Sequence, residues 1–329
     1  MRHNRGALCP SAPGARLMPD ADDRLAAIDL GSNSFRLEIA RCVDGQFQRL
    51  EFLKDTVRQG AELDREWRLS EAAMQRGWAC LARFAPRLAG LPAARVRAVA
   101  TQTMREARNR ADFITRAEAI LGHPIEVISG HEEARLIYLG VAQHLPPGQA
   151  RHLVLDIGGR STELILGNEH TTKRTASHAM GAVSWTQQHF ADGRIDAARF
   201  DAAEDAALAL LQSSGCVRWR SAWEQAWGCS GTVGAAADVL LATERTAKRY
   251  AITRGGVQWL RAQLIAAGHV ERIAIPGMKD SRKPVAAGGI AILCAIMDAL
   301  DIDALTYSPS ALRHGLLFDI LQKSGAAQP

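Results

Sequence analysis

The sequence has no C-x-x-C pair: its six cysteines (Cys9, Cys42, Cys80, Cys216, Cys229, Cys294) are scattered along 329 residues. That spacing excludes the usual zinc ribbon and a disulfide framework, and it suits a reducing cytosol, so a cytoplasmic location is expected. The ten histidines show no metal-ligand spacing, and His131 and His314 read as surface residues. No uninterrupted apolar run reaches the ~18 residues of a membrane span. The first 22 residues, rich in Pro, Gly and Arg, lack the apolar stretch of a secretory signal. They read as a flexible extension, with Met18 as an alternative start and a transit peptide as the weaker reading. No nucleic-acid motif is present, so neither nucleic acid nor membrane is expected as a partner. The net charge of +5 is mild. It fits an anionic ligand, and an Ala/Arg-rich composition would produce it equally well.

What is present is a repeat. LAAIDLGSNSFRLEIA (25–40) and HLVLDIGGRSTELILG (152–167) match Asp29 with Asp156, Gly31 with Gly158, Ser34 with Ser161 and Leu37 with Leu164. Each copy is strand, short turn, strand, with apolar alternation after the first turn at Phe35, Leu37 and Ile39. No helix follows either turn directly, which excludes a P-loop and a dinucleotide fingerprint. Two similar hairpins 127 positions apart, in a chain long enough for two cores, suggest two related domains facing each other.

The D-x-G-x-x-S turn has a chemical reading. Glycine lets the backbone approach closely, successive N–H groups form an anion-binding nest, and Ser or Asn adds donors. The strand-end carboxylate repels phosphate and suits a metal ion or a water instead. Two such turns would clamp a chain of phosphates. Arg160 stands where a third glycine seems natural, aligned with Asn33. Either the turn is right-handed there, or a left-handed cost of roughly 1–2 kcal/mol is offset by whatever the guanidinium grips. The arginine is then a clamp on substrate or a plug.

The remaining segments supply further candidates. Residues 69–88 place Leu69, Ala73, Gly77, Leu81 and Phe84 at helical spacing, a core-facing helix. From 95 a strand runs into a helix, with Thr101, Thr103 and Arg105 at the junction. There Arg105 can meet an anion or pair with a helix-surface acid. In ISGHEEARLIYLGV (128–141), Ser129 and Glu132 fit a capping box. That leaves Glu133, about 100° around the helix, for chemistry or simply for the helix dipole. HAMGAVSW (178–185) is a small-residue turn, and an Ala-rich helix fills about 196–213. In GCSGTVGAA (228–236), Ser230 and Gly231 open a helix, where small residues serve either a phosphate contact or tight packing. A basic loop (Lys279, Arg282, Lys283) precedes an apolar helix, and Ser308 with Pro309 reads as the start of the last helix.

Together these motifs resemble the exopolyphosphatase/guanosine pentaphosphate phosphatase (Ppx/GppA) family of the actin-like ATPase superfamily, over about residues 24–321. DLGSNSFRL and DIGGRSTELILG are similar to its two phosphate loops, TMREA to its arginine segment, and ISGHEEARLIYLGV to its catalytic-glutamate helix. MGAVSW, GCSGTVGAA and ALRHGLL are similar to later motifs. The resemblance implies an α/β fold of two RNase H-like domains facing across a cleft. The expected bounds are an extension at 1–22, a first domain at 23–136, a second at 137–322 and a tail at 323–329. The last helix is a candidate to pack back on the first domain.

The resemblance further implies hydrolysis of a phosphoanhydride by metal-assisted water attack, with Mg²⁺ or another divalent cation. Glu133 matches the general base, and Asp29 and Asp156 match positions near the metal, Asp156 also near the attacking water. Ser32, Asn33 and Ser34, with Gly158, Gly159, Arg160 and Ser161, match the phosphate loops. Arg105, Ser230 and Gly231 complete the expected phosphate contacts. Homodimerisation is a habit of the family. This sequence departs from the pattern at Arg160, in TVRQGAELD (56–64), which lacks a Gly-x-Gly, and in SPSALRHG (308–315), where acidic residues are common. A helical C-terminal region with an HD-type module, as the family's long members have, is not expected, and the sequence reads like the short members. The expected activity is exopolyphosphatase, with conversion of guanosine pentaphosphate to the tetraphosphate, a stringent-response reaction, as the alternative. A weakly active polyphosphate- or alarmone-binding protein is a further reading, and a sugar-kinase-like phosphotransferase a distant one.

Overall fold

A computed structural model describes residues 23–43, 46–146, 148–248 and 250–325. The N-terminal extension, Met18 and Cys9 lie outside the described residues, as do 326–329 of the expected tail. The chain forms two compact units, one running to Pro146 and resuming at Leu312, the other running to Ala311. The division expected at 136/137 falls inside a helix that continues to Ala142, and the first unit runs on to Pro146.

The first unit is built from β1 (Arg24–Leu30), β2 (Ser34–Val43), β3 (Gln46–Thr56), α1 (Glu71–Phe84), β4 (Val96–Ala100), α2 (Gln102–Glu106), α3 (Arg110–Leu121), β5 (Ile125–Val127) and α4 (Gly130–Ala142). The second contains β6 (Arg151–Ile157), β7 (Thr162–Asn168), β8 (Thr171–His178), α5 (Ala182–His189), α6 (Ala197–Ser213), β9 (Gln225–Cys229), α7 (Ser230–Ala242), β10 (Ala251–Thr253), α8 (Arg254–Ala267), α9 (Lys283–Leu300) and β11 (Ala304–Tyr307). The last helix, α10 (Leu312–Gly325), returns to the first unit.

The sheet order in the first unit is β3-β2-β1-β4-β5. The first three strands form an antiparallel meander, and β4 and β5 join parallel to β1. The second sheet reads β8-β7-β6-β9-β11, with β10 added antiparallel at the edge. With the extra edge strand β10 left out of the count, both sheets run third-second-first-fourth-fifth, the order of an RNase H-like domain, and the sequence repeat is a repeat of whole domains. Ser70 caps α1 by accepting from Ala73 N, and Asp196 caps α6 through Arg199 N, as their residue types allow.

Alternate residues of β1 (Ala26, Ile28, Leu30) join Phe84 and Phe113 in the core beneath α1 and α3. Helix α10 lies against β1, β4 and α4. Asp319 on α10 ties Arg97 of β4 to Arg135 of α4, the second contact at 2.6 Å. In the second unit α9 runs through the core. It is long and apolar enough to cross a membrane by composition, and 78% of it is buried within that unit.

Two local expectations change. Ser308 does not cap α10: its hydroxyl closes a turn onto Ser310, its N–H goes to Gly228, and the helix starts at Leu312. His314 is buried rather than on the surface, 3.6 Å from Glu38. Burial alone would raise the Glu38 carboxyl, and His314, Arg313 and Arg49 outweigh it and hold it below its ordinary value. The imidazole itself is pushed down by burial to about 4, against the pull of Glu38.

Two outcomes follow from this packing. A Cβ on Gly315 would stand 1.8 Å from the carbonyl oxygen of Leu136, so α10 and α4 touch backbone to backbone. Gly315→Ala is expected to destabilise the first unit by about 2–3 kcal/mol, seen as an earlier transition in thermal unfolding. The lowered His314 value means that the unfolded chain takes up this proton first. Stability from that site is complete above pH 6.5 and is lost as the pH falls toward 4, by roughly 3 kcal/mol in all. Urea unfolding at pH 7 and pH 4.5 should show a smaller acid loss in His314→Asn than in the parent.

Candidate active site

Each unit carries a cluster of the expected residues at the end of its first strand. In the first unit Asp29, buried, is the penultimate residue of β1, and Arg36 stands opposite it on β2. The guanidinium donates to Asp29 Oδ2 at 2.8 Å. Asp29 thus already has a cation of the chain on one carboxylate oxygen.

The turn between β1 and β2 needs Gly31 for space rather than for handedness. A Cβ there would sit 3.1 Å from Ser34 O, and the matching Gly158 would sit 3.0 Å from Ser161 O, both outside the left-handed region. The turn's carbonyls are occupied: Asn33 O accepts from Val57 and Arg58, and Ser32 O from Gly60. Two hydroxyls, Ser34 Oγ and Thr103 Oγ1, are buried without a hydrogen-bond partner. Orphaned donors beside an expected phosphate loop are what a bound anion would satisfy.

Arg105 and Glu133 meet. Arg105 Nη1 donates to Glu133 Oε2 at 2.8 Å and to the Ile128 carbonyl at 2.9 Å. Its Nε and Nη2 go to Gln102 Oε1. The acid that Arg105 pairs with is thus the expected base itself, a buried side chain in the first turn of α4. Ser129 caps that helix by accepting from Glu132 N at 3.1 Å. The Glu132 carboxylate is held by Arg135 at 2.7 Å and by Arg97 at 3.2 Å, and first the Arg135 hydrogen bonds, then Arg97, lower its pKa.

In the second unit Asp156 occupies the place of Asp29, and its cross-strand partner is Glu163. Both are buried. Opposed side chains in such a pair have Cβ atoms ~5 Å apart, so two carboxylates lie side by side where the first unit has Asp29–Arg36. Ser230 Oγ donates to Asp156 Oδ2 at 2.6 Å, the Cys229 thiol to the same oxygen at 3.3 Å, and Ser177 Oγ to Glu163 Oε1 at 2.8 Å. Burial, then the charge of Asp156, pushes the Cys229 thiol well above its ordinary value. Among the described residues no three His, Cys, Asp or Glu side chains converge as a ready-made metal cage. Two buried carboxylates fit a hard cation that keeps waters and substrate oxygens as its other ligands, the habit of Mg²⁺.

The second loop is anchored like the first. Ala182 N donates to Gly158 O, and Val183 N and Ser184 N donate to Gly159 O, so the N-terminus of α5 is spent on the loop itself. Arg160 is buried and is not among the residues with positive φ, so the right-handed alternative holds and no strain needs offsetting. Ser230 carries the strain instead, at φ 64, a cost of roughly 1–2 kcal/mol for a residue with a Cβ. Gly231 lies under the Arg282 guanidinium, which would be 2.3 Å from a Cβ there.

Sequence reasoning singled out neither Arg36, Glu163 nor Arg282 as site residues. The repeat held the signal for the first two, since each lies seven residues after its aspartate. Arg282 was visible only as part of a basic loop. A separate cavity of about 560 Å³ in the second unit, lined in part by Phe190, His269 and Lys283, contains none of the expected residues. Its charges are internally paired, Lys283 with Asp280 and Asp192 with Arg199, so it does not compete as the reactive site.

Comparison with known proteins agrees with this geometry. Residues 38–324 match the Ppx/GppA phosphatase family. A Vibrio cholerae serotype O1 protein named guanosine-5'-triphosphate,3'-diphosphate pyrophosphatase is 43% identical over 297 residues, 90% of this chain and 59% of the relative. An Aeromonas salmonicida protein of the same name is 42% identical over 296 residues, with the same coverage. The chain thus spans about three-fifths of the length of these relatives. The crystal structure of an exopolyphosphatase from Cytophaga hutchinsonii is 27% identical with TM-score 0.79, covering 91% of this chain and 98% of that one. From the twinned loops, the Arg105–Glu133 pair and the match across most of its length, the chain belongs to the Ppx/GppA phosphatase family.

Proposed function

We propose that this chain hydrolyses the terminal phosphoanhydride of guanosine pentaphosphate, releasing orthophosphate and leaving the tetraphosphate. The observation that carries the choice of substrate is the 43% identity, over 90% of this chain, to a relative named for that compound. This reverses the order expected from sequence, where inorganic polyphosphate came first. Polyphosphate remains the second reading, supported by the solved exopolyphosphatase at 27% identity. A cytoplasmic location and a homodimer belong to the same proposal on family grounds.

The roles follow from the two clusters. Arg105 is the phosphate-binding cation of the first unit. A phosphate that engages it competes for the guanidinium now donating to Glu133 Oε2, and so releases that oxygen to accept a proton from the attacking water. Ser34 and Thr103 supply hydroxyl donors that are otherwise unsatisfied. In the second unit Ser161 and the loop 158–160 hold phosphate oxygens, with Arg282 over Gly231 as a further cation. Asp156 and Glu163 would hold the divalent cation. Such a cation neutralises phosphate charge and makes the phosphorus easier for a nucleophile to approach. Water adds to phosphorus, the bridging P–O bond breaks, and the water proton goes to Glu133.

The test is phosphate release with Mg²⁺ from guanosine pentaphosphate and from polyphosphate, by the parent and by Glu133→Gln. A higher kcat/KM for the nucleotide is expected, with a loss of kcat of at least about 100-fold in the variant. Tight binding without release by the parent would mean a binding protein. Undiminished release by Glu133→Gln would remove Glu133 from the base role.

A further inference from the structure

In GCSG (228–231) the residue with the left-handed backbone is the serine, φ 64, while glycines stand on either side of the Cys-Ser pair. Glycine at 230 would adopt this conformation without steric cost. The flanking glycines answer crowding instead: a Cβ at 228 would press on Val233 at 2.8 Å, and one at 231 on Arg282. A strained side chain held where glycine would be easier needs a reason. The reason on hand is the hydrogen bond from Ser230 Oγ to Asp156 Oδ2 at 2.6 Å, with the Cys229 thiol on the same oxygen.

We infer that Ser230, expected from sequence to hold phosphate, is a positioning residue. Its left-handed backbone aims the hydroxyl at Asp156 and fixes the rotation of that carboxylate. The inference rests on the reading of Asp156 as a cation-holding group. Strand β9 runs parallel to β6 with Cys229 beside Asp156, so Cys229 and the next residue, Ser230 at the first turn of α7, both reach the carboxylate, the hydroxyl at the shorter distance. With Oδ2 engaged by two donors, the carboxylate has one preferred orientation opposite Glu163. A second-sphere donor of this kind commonly changes metal affinity by roughly 10–100-fold.

Ser230→Gly and Ser230→Ala separate the two components. The glycine variant loses the hydroxyl and the strain, and the alanine variant loses only the hydroxyl. Ser230→Gly is expected to unfold no earlier than the parent, Ser230→Ala earlier than Ser230→Gly, and both to bind Mn²⁺ at least about tenfold more weakly by electron paramagnetic resonance. A crystal structure of Ser230→Gly is expected to show the Asp156 carboxylate rotated from its parent orientation, a readout that needs no metal. An unmoved carboxylate overturns the inference. So does unchanged Mn²⁺ binding together with weakened inhibition by inorganic phosphate, which would make Ser230 a direct phosphate ligand. If the parent itself fails to bind Mn²⁺, the cation reading of Asp156 falls, and the carboxylate's orientation still decides the role of Ser230.

Discussion

A buried aspartate one residue from the end of a central strand is sensitive to whatever charge stands beside it, and in each unit the adjacent strand places a charged residue directly opposite. The antiparallel register brings the residue seven positions later directly opposite. Burial makes an uncompensated charge cost several kcal/mol. Where the opposite residue is Arg36, the hairpin closes on itself with an internal ion pair. Where it is Glu163, a second carboxylate is buried beside the first, and Ser230, Cys229 and Ser177 donate to the pair. One repeated hairpin thus yields a clasp in one unit and a candidate metal site in the other. The difference lies in the sign of a single side chain.

The helix that carries Glu133 is fixed by a different means. Its first turn is held through Glu132 by Arg135 and Arg97, and Asp319 of α10 binds the same two arginines. Gly315 lets α10 lie against the Leu136 carbonyl. The segment that returns to the first unit at Leu312 is therefore part of what orients the candidate base. Pairing of Glu133 with Arg105 then makes proton acceptance conditional on something taking the arginine's place, and a phosphate is suited to do so.

Much of this was legible in the sequence because it depends on local chemistry. The repeat of Asp29 and Asp156 announced paired hairpins, and the strand order of each sheet shows them to be the cores of two alike domains. Ser129 and Glu132 mark a helix start by their residue types, which leaves Glu133 for chemistry. The misreadings came from long-range packing. Pro309 after Ser308 looks like a helix start, yet Ser308 is drawn to the Gly228 carbonyl and α10 begins later. His314 looks like a surface residue until Glu38, 276 positions earlier, is placed beside it. Arg160 raises a question of strain because handedness cannot be read from composition, and of the expected site residues it is Ser230 that has the left-handed backbone.

The divergence of the two hairpins is tested most directly by calorimetric titration of Mn²⁺ into Glu163→Gln and Asp29→Asn, beside the parent. Both substitutions remove a charge and keep the shape. Glu163→Gln is expected to weaken binding by at least about tenfold, while Asp29→Asn leaves it unchanged. Loss of Mn²⁺ in Asp29→Asn with full binding retained in Glu163→Gln would contradict the assignment of clasp and cation site.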